Sequence, residues 1–269
     1  MLILALDTSS AAGSAAIVRD GTVAIERDGD GTHTHGERLP LELMALLRDA
    51  GLTLAGIDGF AVVTGPGSFT GLRVGIATIQ GLALAGRKLV TPVSAFEALA
   101  FGLRSSDLGR RTSDVGPRAS DLGPRTSDVG PRASDLGPRA SDVIAVWIDA
   151  HRREVFGTLY AADGRTVLEP PAALAPEATI EKWMASVPAG TRMRFIGDGA
   201  VRYADVIRAQ LGERAILADA TPPLAGAAGV IAAAEPGRAV TPHAVVPLYV
   251  RRSDAELARD RAQASPRPH

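Results

Sequence analysis

The stretch TGPGSFTGLRVGIATIQGLA, Thr64 to Ala83, joins a glycine-rich turn to a long apolar segment. The run before it, Phe60 to Val63, is short and apolar and predicts a buried strand. Gly65 and Gly67 permit backbone conformations closed to other residues, and Ser68 or Thr70 can cap the helix that follows. That helix is expected to end near Gly86. It does not open a P-loop, because no Gly-Lys-Ser/Thr follows. Gly71, Gly75, Thr78 and Leu82 form one ridge along it; Leu72, Ile76, Ile79 and Ala83 form an adjacent apolar one. Such a helix can lie on its own sheet and accept a second helix close against the glycines. Packing wholly within the chain is the plainer alternative.

Upstream, Leu2 to Leu6 reads as a buried strand ending in Asp7-Thr8-Ser9-Ser10. Gly13 to Val18 and Thr22 to Ile25 read as two further strands joined by a tight Asp20-Gly21 turn. From Gly36 to Gly51, Leu39, Leu43, Leu46, Leu47 and Ala50 recur at helical spacing. Three strands, a helix, a strand and a helix within 90 residues make an α/β lobe, residues 1–103. A seven-residue unit then repeats from Arg111 to Val143, as RTSDVGP and RASDLGP. One apolar residue per unit and recurrent Gly-Pro exclude a coiled coil, so 104–142 is expected to be a flexible, neutral insertion. A second α/β lobe follows over 143–252. It has strands at Ile144 and Glu154, a helix from Ala178 to Val187, and a strand at Met193 to Ile196 that enters Gly197-Asp198-Gly199. Helices are expected over Val201 to Leu211 and Pro223 to Ala234, and 253–269 reads as a loose tail.

Composition narrows the chemistry. Among 269 residues there is no cysteine, which removes thiol nucleophiles, disulfides and thiolate metal sites. The charge is balanced, 29 basic against 30 acidic residues, so no overall field favours nucleic acid or anionic lipid. No secretory leader or span of roughly 18 apolar residues is read, which points to the cytoplasm and to no membrane partner. His33 and His35 would need Glu37 as a third metal ligand, and a solvated loop is the plainer reading. No nucleophile elbow, Ser/His/Asp order or His-Glu-x-x-His is present. Asp7, Thr8 and Ser9 end the first strand where backbone amides can wrap a phosphate and a carboxylate can hold a hydrated metal ion. Turn formation alone would also explain them. Gly197 and Gly199 could admit a nucleotide, on the weaker evidence of a lone Gly-x-Gly.

Taken together, LALDTSS at Leu4, the Thr64–Ala83 stretch and IDAHRREVFGTLY at Ile148 resemble the TsaB family, also called YeaZ. HGERLPLELMALL, FIGDGA and PLYVRR occur in the matching order, so the resemblance spans the chain except its repeat and tail. The resemblance implies the two-lobed actin-like ATPase fold (ASKHA, ribonuclease H-like), here carrying a low-complexity insertion. It implies a non-catalytic dimerization subunit that supports threonylcarbamoyl transfer to adenosine 37 of tRNA by TsaD, with no catalytic residue or metal of its own. Where TsaD carries the metal-binding His-x-x-x-His, this chain has Ala95 and Leu99. The two helices starting near His35 and Phe69 are implied to pack against the same pair of TsaD, or of a second copy in a homodimer. Leu39, Leu43, Leu46, Gly71, Leu72, Arg73, Gly75, Ile79 and Leu82 are the interface residues expected on that basis. Gly75→Leu is then expected to abolish association and leave the monomer folded. The resemblance implies that the ATPase TsaE joins the assembled complex and that tRNA is met indirectly through it, with direct contact left open. Asp7, Thr8, Ser9, Gly197 and Gly199 become a vestigial nucleotide site. No cofactor is required by this chain, while ATP or ADP with magnesium at or near the TsaD interface stays open. Two departures stand out: Asp149-Ala150-His151 for the family's usual Asp-Ala-Arg, and His35-Gly36-Glu37 for its frequent His-Ser-Glu. The rival reading is an active ATPase or phosphotransferase of the same fold, using Asp7 and magnesium. A metallopeptidase lacks any zinc motif.

Overall fold

The structure, a computed structural model, describes residues 1–108 and 142–251. The repeat insertion beyond Leu108 and the tail beyond Arg251 lie outside the described residues. The first sheet is built from β1 (Leu2–Asp7), β2 (Ser14–Arg19), β3 (Thr22–Asp28), β4 (Gly59–Val63) and β5 (Val90–Val93) in the order β3-β2-β1-β4-β5. Here β1, β2 and β3 run antiparallel, while β4 and β5 are parallel to β1. The second sheet repeats this plan with β6 (Val143–Asp149), β7 (Val155–Ala161), β8 (Val167–Leu174), β9 (Met193–Ile196) and β10 (Ala215–Leu217), ordered β10-β9-β6-β7-β8. Its first three strands are again antiparallel and its last two parallel to the first. This duplicated arrangement is the actin-like fold.

Central strands must be apolar on both faces, because each sheet is covered on both sides. In β1, Leu4 and Leu6 face an outer core shared with α1 (His35–Asp49) and α2 (Phe69–Gly86), while Ile3 and Ala5 face the space between the lobes. In β6, Ala145 and Trp147 pack outward under α4 (Pro176–Ser186), whereas Ile144, Val146 and Ile148 face inward. The inter-lobe core is completed by α3 (Ala95–Leu108) and α7 (Ala225–Ala234), which touch each other between the sheets. Continuous apolar runs in these strands follow from that sandwich.

Several elements depart from the sequence expectation. The helix expected over Val201 to Leu211 is broken at Tyr203 into α5 (Asp198–Arg202) and α6 (Ala204–Leu211). No amphipathic stripe marks α3, because it is buried on several sides, and it continues to Leu108, past the boundary at residue 103. Pro170 and Pro171 hid β8; it is tolerated there as an edge strand with register shifts against β7. By length and a mean hydropathy of 1.2, α2 could cross a membrane, contrary to the expectation that no window approaches a span. It instead lays Leu72, Ile76, Ile79 and Ala83 into its own lobe.

Ile79 is fully buried in the outer core of the first lobe. Ile79→Ala is therefore expected to cost about 3 kcal/mol of unfolding free energy, measured by chemical denaturation.

Candidate functional site

Two surfaces carry the residues singled out by the sequence. One is the cleft where the lobes meet, a hollow of about 270 Å³ lined by Asp7, Ser9, Ser10, Ala12 and Gly13 at the β1–β2 turn, with Asp28, Ala95, Leu99, Ile148 and Asp198. A more open hollow of about 460 Å³ shares Asp198 and Thr221 and adds Asp149, Arg202 and Asp219. Asp7 is 3% exposed and accepts a hydrogen bond from Ser9 N at 2.8 Å. Its burial pushes the pKa above the usual carboxylate value, against the smaller lowering effect of the Ser9 hydrogen bonds.

Electrostatics here oppose a bare phosphate. Arg202 is the one cation among the described residues lining these hollows, and it already pairs with Asp149 at 3.2 Å. Asp7, Asp28 and Asp198 are oxygen donors suited to magnesium. Among the described residues, however, no three His, Asp or Glu side chains converge to hold a metal ion. Magnesium would have to bring its own water and phosphate ligands. The first amides of α7 are also taken: Ser14 Oγ accepts from Leu224 N and Ala225 N at 3.2 and 3.0 Å, and Glu26 Oε1 from Gly226 N at 2.7 Å. The start of α7 is thus satisfied from within the chain and offers none of these amides to an anion.

Of the expected nucleotide residues, Asp7 and Ser9 line the cleft, and Thr8 does not. Its side chain is fully buried against α2, and its hydroxyl has no hydrogen-bond partner. Gly197 and Gly199 lie against the backbone of β6 at Trp147 and Ile148, where a Cβ would clash. They let the β9–α5 turn approach closely and leave Asp198 to enter the cleft. Asp198 opens α5 between the two glycines, and no motif in the sequence marks it as part of the cleft. Ala95 and Leu99 line the cleft as buried apolar groups.

The second surface is the helix pair, and it corrects the expected interface. Leu39, Leu43, Leu46, Gly71, Leu72, Gly75 and Ile79 are all buried within the first lobe; Leu82 is half-buried and Arg73 exposed. The glycine ridge faces inward: a Cβ on Gly71 would strike the Thr8 carbonyl, and one on Gly75 the Thr8 hydroxyl. The outward stripe of α2 is instead Phe69, Arg73, Ala77, Gly81 and Leu84, with open space over Gly81. On α1, Leu41 and Met44 stand 72% and 68% exposed, and Leu84 on α2 is 71% exposed. At one end of the stripe the Arg73 guanidinium lies 3.8 Å over the Phe69 ring and donates to Tyr249 Oη at 3.1 Å. Apolar residues surround most of α2, so helical spacing alone did not say which ridge met the sheet.

The histidines diverge. His33 pairs with Asp30 at 2.7 Å, His35 turns inward to Ser10 O at 2.9 Å, and Glu37 binds Thr34 N at the start of α1 at 3.0 Å.

A family model described as TsaD, tRNA N6-adenosine threonylcarbamoyltransferase, matches residues 30–111. The tRNA threonylcarbamoyladenosine biosynthesis protein TsaB of Escherichia coli is 38% identical over 102 residues, covering 38% of this chain and 44% of that protein. TsaB of Haemophilus influenzae is 40% identical over 107 residues, covering 37% and 42%. The chain thus matches less than half the length of these curated relatives. The solved structure of YeaZ from Pseudomonas aeruginosa superposes with a TM-score of 0.66 at 25% identity, over 92% of this chain and 99% of that one.

Gly75→Leu is expected to destabilise the isolated chain by at least about 2 kcal/mol through overpacking against Thr8, read by denaturant titration; a stable variant would contradict the inward ridge. Asp7 provides a pH test. Because its folded pKa is raised, the folded state holds the proton more tightly, and stability falls as pH rises from the unfolded value through the folded one. Asp7→Asn is expected to remove that slope and to raise the melting temperature at neutral pH by a few degrees.

Proposed function

Because the chain belongs to the TsaB/YeaZ family, we propose that it is the accessory subunit that TsaD requires to transfer a threonylcarbamoyl group to adenosine 37 of tRNA. The observation that carries this reading is the exposed apolar surface of α1 and α2, with Leu41 and Met44 on α1 and Leu84 on α2 standing out and open space over Gly81. Burying such a Leu or Met side chain against a partner contributes roughly 1.5–3 kcal/mol before the cost of association. Gly81 lets a partner helix come close. The partner is the corresponding helix pair of TsaD, with a second copy of this chain as the other arrangement. Arg73, paired with Phe69 and Tyr249 at the rim, sets orientation and association rate more than affinity. Contact with TsaE and with tRNA then comes through the assembled complex.

A scaffold role is supported by the apolar Ala95 and Leu99 in the cleft, and by its poverty in basic groups. The second reading, an ATPase using Asp7 and magnesium, is favoured by one observation: Asp7 is a buried carboxylate in a cleft shared with Asp198.

Reconstitution tests the proposal. TsaD, TsaE, threonylcarbamoyl-adenylate and unmodified tRNA are expected to yield modified tRNA only when this chain is added. Gly81→Arg with Met44→Glu is expected to weaken the complex at least about 100-fold, as loss of a central contact does, with an unchanged melting temperature. Wild-type association by that double variant, or modification without the chain, would refute the proposal. ATP turnover by the purified chain that disappears in Asp7→Ala would establish the ATPase instead.

A further inference from the structure

The β1–β2 turn has two sides. Asp7, Ser9, Ser10, Ala12 and Gly13 form the cleft wall on one. On the other, four consecutive carbonyls are each received by a group from α1 or from the cap of α2. Ser68 N, at the start of α2, donates to Ser9 O at 2.7 Å. His35 Nε2 donates to Ser10 O at 2.9 Å, and Arg38 Nη2 donates to Ala11 O at 3.2 Å and also to Ala12 O. These side chains are themselves fixed. His35 is 9% and Arg38 7% exposed, the His35 Nδ1 accepts from Arg38 Nη2 at 2.7 Å, and Arg38 Nη1 grips Glu42 at 2.6 Å. Thr8 completes the attachment, held under Gly71 and Gly75 with its hydroxyl unsatisfied. The turn therefore takes its shape from the helices rather than from sheet ladders.

We infer that the Asp7–Gly13 turn couples the outer helix face to the inter-lobe cleft, so that a partner seated on α1 and α2 fixes the cleft wall. Arg38 is the positioning residue, because one guanidinium holds two of the four carbonyls and orients His35 on a third. The inner and outer faces of α1 are two sides of one rigid element, so limiting its motion on one side limits the turn on the other. By reciprocity, whatever orders the turn from within the cleft strengthens the grip of the partner. This inference rests on the accessory-subunit reading and deepens it.

Hydrogen exchange of the Ser9–Gly13 amides, compared in the free chain and in its complex with TsaD, tests it. In the wild type, complex formation is expected to slow these amides about ten-fold or more, although they lie behind the contact surface. Arg38→Met is expected to lose that partner-dependent protection while its affinity for TsaD changes by less than about three-fold; a merely structural role would instead lower protection equally with and without the partner. If that variant does not fold, the wild-type comparison decides alone. A complex that leaves the turn amides unchanged overturns this inference and spares the accessory-subunit reading, whereas no complex overturns both.

Discussion

The close approach of α2 to the β1–β2 turn is the constraint on which the molecule is built. Gly71 and Gly75 leave just the room that Thr8 fills, which fixes the rotation of α2 about its axis. Once Leu72, Ile76 and Ile79 are committed to the lobe, Phe69, Arg73, Ala77, Gly81 and Leu84 must face out. The same contact presses the turn toward the cleft, where Asp7 and Ser9 form its wall. The outward stripe, the core and the cleft wall are therefore consequences of one helix placement.

The chemistry of the inter-lobe cleft leans away from phosphate binding. A buried Asp7 is held at a cost to stability, since desolvation disfavours its charge and few compensating groups surround it. Ser14 and Glu26 close the start of α7 from within the chain, and Ala95 and Leu99 place methyl groups where oxygen or nitrogen ligands would be useful. Stabilising a developing phosphoryl charge calls for cations and preorganised donors, and among the described residues lining these hollows Arg202 is the one cation.

Between the lobes, α3 and α7 share an apolar core and polar links tie the ends together. Arg238 binds Glu97 at 3.0 Å and Glu235 at 3.1 Å, and Arg251 reaches Glu154 at 2.6 Å on the second lobe. Desolvation raises the Glu97 pKa, but the Arg238 and Ser94 hydrogen bonds outweigh it and hold the carboxyl below its ordinary value.

Local order was legible in the amino-acid sequence by itself. Continuous apolar runs marked the central strands, and Ser68 or Thr70 marked the start of α2, where Ser68 proves to be the cap. Recurring motifs in the right order also led to the family. These signals are local because capping, turn chemistry and strand burial depend on neighbours along the chain. Only the tertiary structure decided which helix ridge faced outward, that Thr8 belongs to the core, that Asp198 joins Asp7, and that His35 and Arg38 serve the turn. Each of those facts is a contact between residues distant in sequence. A helix apolar on nearly every side offers several equivalent faces until a partner strand and a threonine select one.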